Sequence, residues 1–401
     1  MTSATATDTG GQAKRIILFY KNLTTPGGAE RLLAEEWANF TDAGCEVKIV
    51  CFAFSETCLF EYRDRALRDV HVCRGSSWIA RMAAAYRFFR AFAPDAIVVA
   101  SGLLEAPWIA HRRTKVIFHY HQPPSMSFTD YLKYSWLYAK DFDWICARNR
   151  TSGVFRTLRS QLSWTQRLWF DLKARVHRAA VNRCAAILVF SDYAKEDAER
   201  FFSAPVVVLK GALSGDAVEQ MKELPARQPS TRPTVLSVAR LDPNKRIDVV
   251  IRAMARLRQD VPALRCLIVG DGPQRAELEQ LIEDLSLETV CELLGFIPDE
   301  ELSRLYRSCD VFVSVDWADF RLTAFEALAA GAPVIVSDEA DVDPKLRTAG
   351  YLSSAAPEPL PVAAEVLRVL GNADARDLCA LRSALVGYTW PSYCRAILAL
   401  V

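Results

Sequence analysis

Short apolar runs alternate with amphipathic stretches along the whole chain, and this alternation sets the expected architecture. In the first half the apolar runs cover 15–22, 46–52, 69–73, 95–101, a stretch opening at Lys115, another opening at Ala185, and 206–211. In the second half they cover 234–238, stretches opening at Arg265 and Val290, then 311–315 and 333–336. Val, Ile and Phe crowd these runs, as parallel strands covered on both faces require. Between them, helical periodicity predicts helices over 29–43, 76–93, a segment reaching Arg258, 322–330, 359–370 and 376–386. Strands joined through helices imply right-handed crossovers and doubly wound parallel sheets, an α/β fold.

A polar segment with three prolines and no strand period, 215–233, marks the domain boundary. It separates an N-terminal domain at 15–214 from a C-terminal one at 234–387, with 388–401 as a final helix. A chain of 401 residues is too long for one ordinary core, which agrees with two domains. The first 14 residues lack an apolar stretch and read as a disordered tail, not a signal peptide. Nothing approaches the ~18 apolar residues of a membrane span.

Composition narrows the function classes. A formal charge of +1 argues against a dedicated nucleic-acid binder. The eleven cysteines are scattered without a C-x-x-C pair, so neither a zinc cluster nor a disulfide framework is expected. They read as reduced thiols of a cytoplasmic protein. With no metal-ligand pattern, neither metal nor other cofactor is expected.

Candidate chemistry concentrates at strand-to-helix junctions. The stretch 310–338 reads strand, loop, helix, a stop at Gly331, strand. Its loop delivers backbone N–H groups at the helix start, Leu322-Thr323, where phosphate can be held. Glu326 sits on the first turns of that helix, and a carboxylate suits the two vicinal hydroxyls of a ribose. Arg240 and Lys245 at another junction make a cationic site for a diphosphate, although surface loops often carry such a pair. Gly27-Gly28 and the Gly270-x-Gly272 turn allow close backbone approach, and the plain alternative for each is a tight turn. His121 follows a strand at the sheet edge beside Pro123-Pro124, with His119 expected on the opposite strand face.

The 78–92 helix sets Arg81, Arg87 and Arg90 among aromatics. That pattern suits an anionic membrane surface, or simply a layer helix packed on the sheet. Across 128–182, tryptophans interleave with arginines, which suits lipid headgroups, lipid diphosphates or nucleic acid, or a solvated helical face.

The strings P-G-G-A-E at 26–30, H-Q-P at 121–123, S-V-A-R-L-x-x-x-K-R at 237–246, G-F-I at 295–297 and FEALAAGAPVIVSD at 325–338 resemble the retaining glycosyltransferases of family 4. The resemblance spans Arg15 to Val401. It implies the GT-B fold, two Rossmann-like domains facing a cleft, with the final helix crossing back to the first domain. It also implies a UDP- or GDP-sugar donor, and a saccharide or polyprenyl-diphosphate-linked acceptor reached at the inner membrane face. Similarity to mannosyltransferase patterns points to GDP-mannose. On this resemblance His121 contacts the donor sugar, Arg240 and Lys245 stabilise the leaving diphosphate, and Gly27-Gly28 overlie it. Phe296 and Ile297 hold the nucleobase, while Gly270, Asp319, Phe320, Arg321, Leu322, Thr323 and Glu326 complete the donor site.

The signature of that family is a Glu, seven residues, then a second Glu. The second is Glu326, but the first position is Ala318, and the usual Gly after Phe320 is Arg321. Asp316 and Asp319 flank the missing carboxylate. Arg321 can contact the diphosphate, pair with Asp319 or block the pocket. Two other readings follow, a catalytically impaired partner or sugar-nucleotide binder, and an epimerase of the same fold.

Overall fold

A computed structural model of the chain describes residues 13–100, 106–121, 124, 136–141, 144, 162–213, 217, 221, 232–316, 321–339, 343–372 and 376–401. The chain divides into two compact units, one formed by Met1–Val189, Lys195–Val208 and Cys394–Val401, the other by Phe190–Ala194 and Leu209–Tyr393.

The first unit is built on seven strands, β1 (Arg15–Phe19), β3 (Glu46–Cys51), β5 (Val70–Val72), β6 (Ala96–Ala100), β7 (Lys115–His119), β8 (Ala186–Val189) and β9 (Val206–Val208). They pair in parallel in the order β5-β3-β1-β6-β7-β8-β9. Two short strands, β2 (Asn22–Leu23) and β4 (Ala53–Phe54), pair separately. Ile16 to Phe19 are wholly buried, which explains why the run is apolar at successive positions. The crossover helices include Gly28–Asp42, Trp78–Phe92 and Trp164–Val181. Ser77 caps the second of these, and Ser163 with Gln166 forms a capping box on the third. The C-terminal residues are tied here, with Lys14 Nζ donating to the Leu398 carbonyl at 3.1 Å and Lys115 Nζ to that of Leu400 at 3.0 Å.

The second unit carries β10 (Thr234–Val238), β11 (Arg265–Val269), β12 (Cys291–Gly295), β13 (Val311–Ser314), β14 (Val334–Ser337) and β15 (Leu352–Ala355). These six parallel strands run in the order β12-β11-β10-β13-β14-β15. Helices Ile247–Leu257 and Pro359–Gly371 pack on one face around Val250, Met254, Val362 and Val366. Helix Leu322–Ala329 packs on the other through Ala324, Ala327 and Leu328. It stops where predicted, with Gly331 in the left-handed region at φ 76°. The described cysteines are all free, and most are buried. Burial pushes the thiols of Cys51 and Cys184 up to about 12.

Two glycines fix the β10 loop, where Arg240 lies. Gly270 has φ +123°, and a Cβ there would lie 2.0 Å from the Ala239 carbonyl oxygen. A Cβ on Gly272 would meet the Leu241 backbone at 2.6 Å. Ala239 N donates to the Val269 carbonyl and Leu241 N to that of Asp271, both at 3.0 Å, so the two loops are stitched together. This packing alone accounts for the G-x-G spacing. Gly270→Ala combines left-handed strain with a backbone collision, and should destabilise the second unit by about 2–5 kcal/mol. Urea unfolding followed by tryptophan fluorescence checks this through an earlier midpoint.

Candidate functional site

The C-terminal ends of β10, β11, β12, β13 and β14 share one edge of the second sheet, the edge at which open parallel α/β sheets bind ligands. Asp316, two residues past β13, is its electrostatic centre. Lys245 Nζ, on the turn after β10, donates to Asp316 Oδ2 at 2.7 Å. Arg321 Nε donates to Oδ1 at 2.5 Å, Arg321 Nη2 donates to the Asp316 carbonyl at 2.5 Å, and Ser314 Oγ donates to Oδ1 at 2.9 Å. The Asp316 and Arg321 side chains are both buried, with Lys245 partly exposed. Burial alone would push the carboxyl up. The Arg321 guanidinium and the Lys245 ammonium outweigh it, holding Asp316 well below the usual carboxylate range.

Arg240 extends into solvent at 66% side-chain exposure, held by Asp242. Arg246 takes a left-handed φ of 52°, and its guanidinium binds the buried Glu339 and the Val315 carbonyl. The Lys245-Arg246 pair therefore divides its work, Lys245 toward β13 and Arg246 toward the end of β14.

Arg321 occupies the cap position of helix Leu322–Ala329, and no side chain caps that start. Leu322 and Thr323 form its half-exposed first turn, with Thr323 Oγ1 3.4 Å from the Val238 carbonyl. Glu326 Oε2 accepts from Tyr306 Oη at 3.0 Å. Burial, and then the Glu326 charge, push the Tyr306 phenol well up, so it stays a donor. Phe296 is 88% exposed, while Ile297 is buried beneath it with Tyr306 and Ala324. Gly295, at φ 71°, turns the chain just before them and accepts from Gly270 N at 2.8 Å. The second unit thus brings Arg240, Lys245, Gly270, Phe296, Ile297, Arg321, Leu322, Thr323 and Glu326 to one edge. Asp319 and Phe320, with Ala318, lie outside the described residues.

The first unit joins Gly27, Gly28 and His121 through Tyr20. The Tyr20 hydroxyl donates to the Ala29 carbonyl at 2.9 Å and lies 3.4 Å from His121 Nε2. Gly27 is extended, and a Cβ there would lie 2.9 Å from the tip of the Glu30 side chain, whereas a Cβ on Gly28 would meet nothing within 4 Å. Gly28 is not demanded by packing, Gly27 would require only the flexible Glu30 tip to shift, and the Gly27 cap position gives the start of helix Gly28–Asp42 no side-chain hydrogen bond. His119 and His121 do not point to opposite faces, for their rings meet edge-on with centroids 4.6 Å apart. Positions two apart on extended chain share a face. Burial lowers both imidazoles to about 3, the neighbouring His119 adding to the effect on His121, so each is neutral near pH 7.

Three polar groups escaped the sequence reading. Tyr20 lies inside the 15–22 run and Glu36 inside the 29–43 helix, and Tyr306 falls in no predicted element. Glu36 is in fact buried, with Oε1 3.6 Å from His119 Nδ1. The apolar setting of Glu35-Glu36, between Leu33 and Trp37, was the available signal. Among the described residues no His, Cys, Asp and Glu side chains group as a metal site.

The pattern of the family Glycosyl transferases group 1 matches residues 220–356, and that of the Glycosyl transferase 4-like domain matches 27–210. A putative colanic acid biosynthesis glycosyltransferase, WcaL, of Escherichia coli K12 is 37% identical over 118 residues, 28% of this chain and 29% of that protein. A GDP-mannose-dependent alpha-(1-6)-phosphatidylinositol monomannoside mannosyltransferase of Mycolicibacterium smegmatis is 34% identical over 112 residues, 26% of this chain and 29% of that protein. The aligned stretch thus spans under a third of either relative's length. HepE of Anabaena, solved in complex with UDP, shares the fold at TM-score 0.66 and 17% identity, over 96% of this chain and 98% of that one.

Asp316→Asn should cost about 3–5 kcal/mol near neutral pH, because two cations lose a buried counter-charge. The folded carboxyl titrates well below the ordinary aspartate value of about 3.9, so its contribution is present above about pH 4 and lost as pH falls toward the folded value. The gap in unfolding free energy between wild type and variant should therefore be flat from about pH 5 to 8 and close below about pH 4. Urea unfolding across that range measures it.

Proposed function

The chain belongs to the GT-B glycosyltransferases of family 4, and from that premise we propose that it moves a hexose from a nucleoside-diphosphate sugar to a saccharide or lipid-linked saccharide. The supporting observation is the convergence of Arg240, Lys245 and Arg321 with an uncapped helix start at one sheet edge. A departing nucleoside diphosphate gathers negative charge, and fixed cations with backbone N–H groups lower that cost.

In this reading Arg240 and Lys245 take the diphosphate, and Lys245 does so by sharing itself with Asp316. Arg321 begins the helix with its guanidinium held by Asp316, so it fixes that carboxylate beside Lys245. Glu326, steadied by the Tyr306 hydroxyl, accepts the ribose hydroxyls, and Phe296 offers its exposed ring to the base. His121 is neutral, so it acts on the donor sugar as a hydrogen-bonding group and not as a cation. The donor proposed is UDP- or GDP-linked. HepE was solved with UDP, whereas the mycobacterial relative is named for GDP-mannose, and the H-Q-P string favours the latter. Retention by same-face attack, no metal requirement, and a polyprenyl-diphosphate carrier at the inner membrane face belong to the same proposal. The mycobacterial relative is named for a phosphatidylinositol monomannoside, which supports a lipid-borne acceptor.

One observation favours a second reading, a sugar-nucleotide binder without turnover. The signature carboxylate is replaced at Ala318, and Asp316 already engages both Lys245 and Arg321. A thermal-shift screen against UDP, GDP and their hexoses, followed by transfer assays with the sugars that bind, separates the two. His121→Ala should abolish transfer and leave nucleoside-diphosphate affinity within about 3-fold. Glu326→Ala should weaken that affinity by roughly 5- to 150-fold, the equivalent of ~1–3 kcal/mol for a buried hydrogen-bonding partner. If calorimetry finds no nucleotide or nucleotide sugar bound by the folded chain, both readings fall.

A further inference from the structure

Helix Trp164–Val181 of the first unit presents an apolar stripe to solvent. Its inner arc, Asp171, Ala174, His177, Ala180 and Val181, is buried. On the opposite arc Trp164, Leu168, Leu172 and Val176 repeat every four residues and are 68, 49, 52 and 46% exposed. That arc of a surface helix is ordinarily polar. Trp169, 55% exposed, adjoins the row, and Lys173 Nζ sits 5.0 Å from its ring centroid. The helix has one carboxylate, Asp171, and it is buried against Arg175.

The stripe has company. The crossovers from β5 to β6, β6 to β7 and β7 to β8 all step the same way across the sheet. Right-handed connections therefore put their helices on one face. Helix Ala106–Ile109 packs against both Trp78–Phe92 and Trp164–Val181. Trp108 on it is half exposed, beneath the Arg183 guanidinium at 4.6 Å, and Trp78 and Ile79 are exposed on the neighbouring helix. Neither Trp78–Phe92 nor Ala106–Ile109 contains an acidic residue.

We propose that this face lies flat on an anionic lipid bilayer, with the Trp164–Leu168–Leu172–Val176 row inserted at the headgroup boundary and Lys173, Arg178 and Arg183 pairing with lipid phosphate. Tryptophan tips with cationic flanks match that boundary, whereas a rim of one sign repels a second copy of itself. No helix among the described residues is long and apolar enough to cross a membrane, so the contact is superficial. The inference rests on this surface and not on the transferase reading.

Flotation with phosphatidylcholine vesicles, with and without roughly one third phosphatidylglycerol, tests it. The chain should partition onto the anionic vesicles, lose about 10-fold in affinity between ~0.1 and ~0.5 M salt, and bind weakly to the neutral ones. The double variant Leu168→Glu/Leu172→Glu should bind at least about 10-fold more weakly while keeping its circular dichroism and its nucleotide thermal shifts. Anionic-vesicle binding unchanged in that folded variant would overturn the proposal. So would a wild-type chain that ignores anionic vesicles, including one that light scattering shows as a dimer dispersed by the variant.

Discussion

A single buried carboxylate, Asp316, holds two cations that would otherwise repel one another. Lys245 belongs to the loop after β10, and Arg321 begins the helix after β13. Their common partner pulls both segments to the same point above the sheet. Ser314 and the Asp316 carbonyl complete the hydrogen bonding, so the buried charge has partners on both carboxylate oxygens and on its own backbone. A charge this buried is tolerated only with such pairing. The arrangement of the cationic edge follows from it, since each cation has one direction in which its charge is balanced.

A second constraint works through backbone packing. Gly270 and Gly272 let the β11 loop press against Ala239 and Leu241, and Arg240 stands between those two residues. The glycines act one loop away from the phosphate-binding candidate, by deciding where Arg240 starts. In the first unit Tyr20 has a comparable part, connecting the start of helix Gly28–Asp42 to His121 with one hydroxyl.

Most of the fold was legible because strands buried on both faces leave unbroken apolar runs. One exception, β15, is an edge strand with sequence Leu-Ser-Ser-Ala, whose two serines are half exposed and break the signal. The candidate edge was legible where its residues are neighbours in sequence, as with Arg240 and Lys245, or Leu322 and Glu326, since these share one loop or one helix. It was illegible where partners are distant, because Lys245 and Asp316 lie 71 positions apart and only strand register brings them together. The two histidines were assigned to opposite faces against the period of two that an extended chain imposes. The buried Glu36 was hidden because a helix shows its charges without showing which of them face inward.

The pairing of Asp316 with Arg321 also bears on how this chain can vary over generations. Loss of Asp316 alone strands the buried Arg321 charge, a penalty of about 3–5 kcal/mol against the ~5–15 kcal/mol by which a domain is stable, whereas loss of Arg321 leaves Asp316 still paired with Lys245. Drift at 316 is therefore channelled through joint replacement, or through prior stabilisation elsewhere that makes one step survivable. Among descendants of a common ancestor, an arginine at 321 should therefore keep an acid at 316, while a lineage with glycine at 321 keeps that acid only for Lys245.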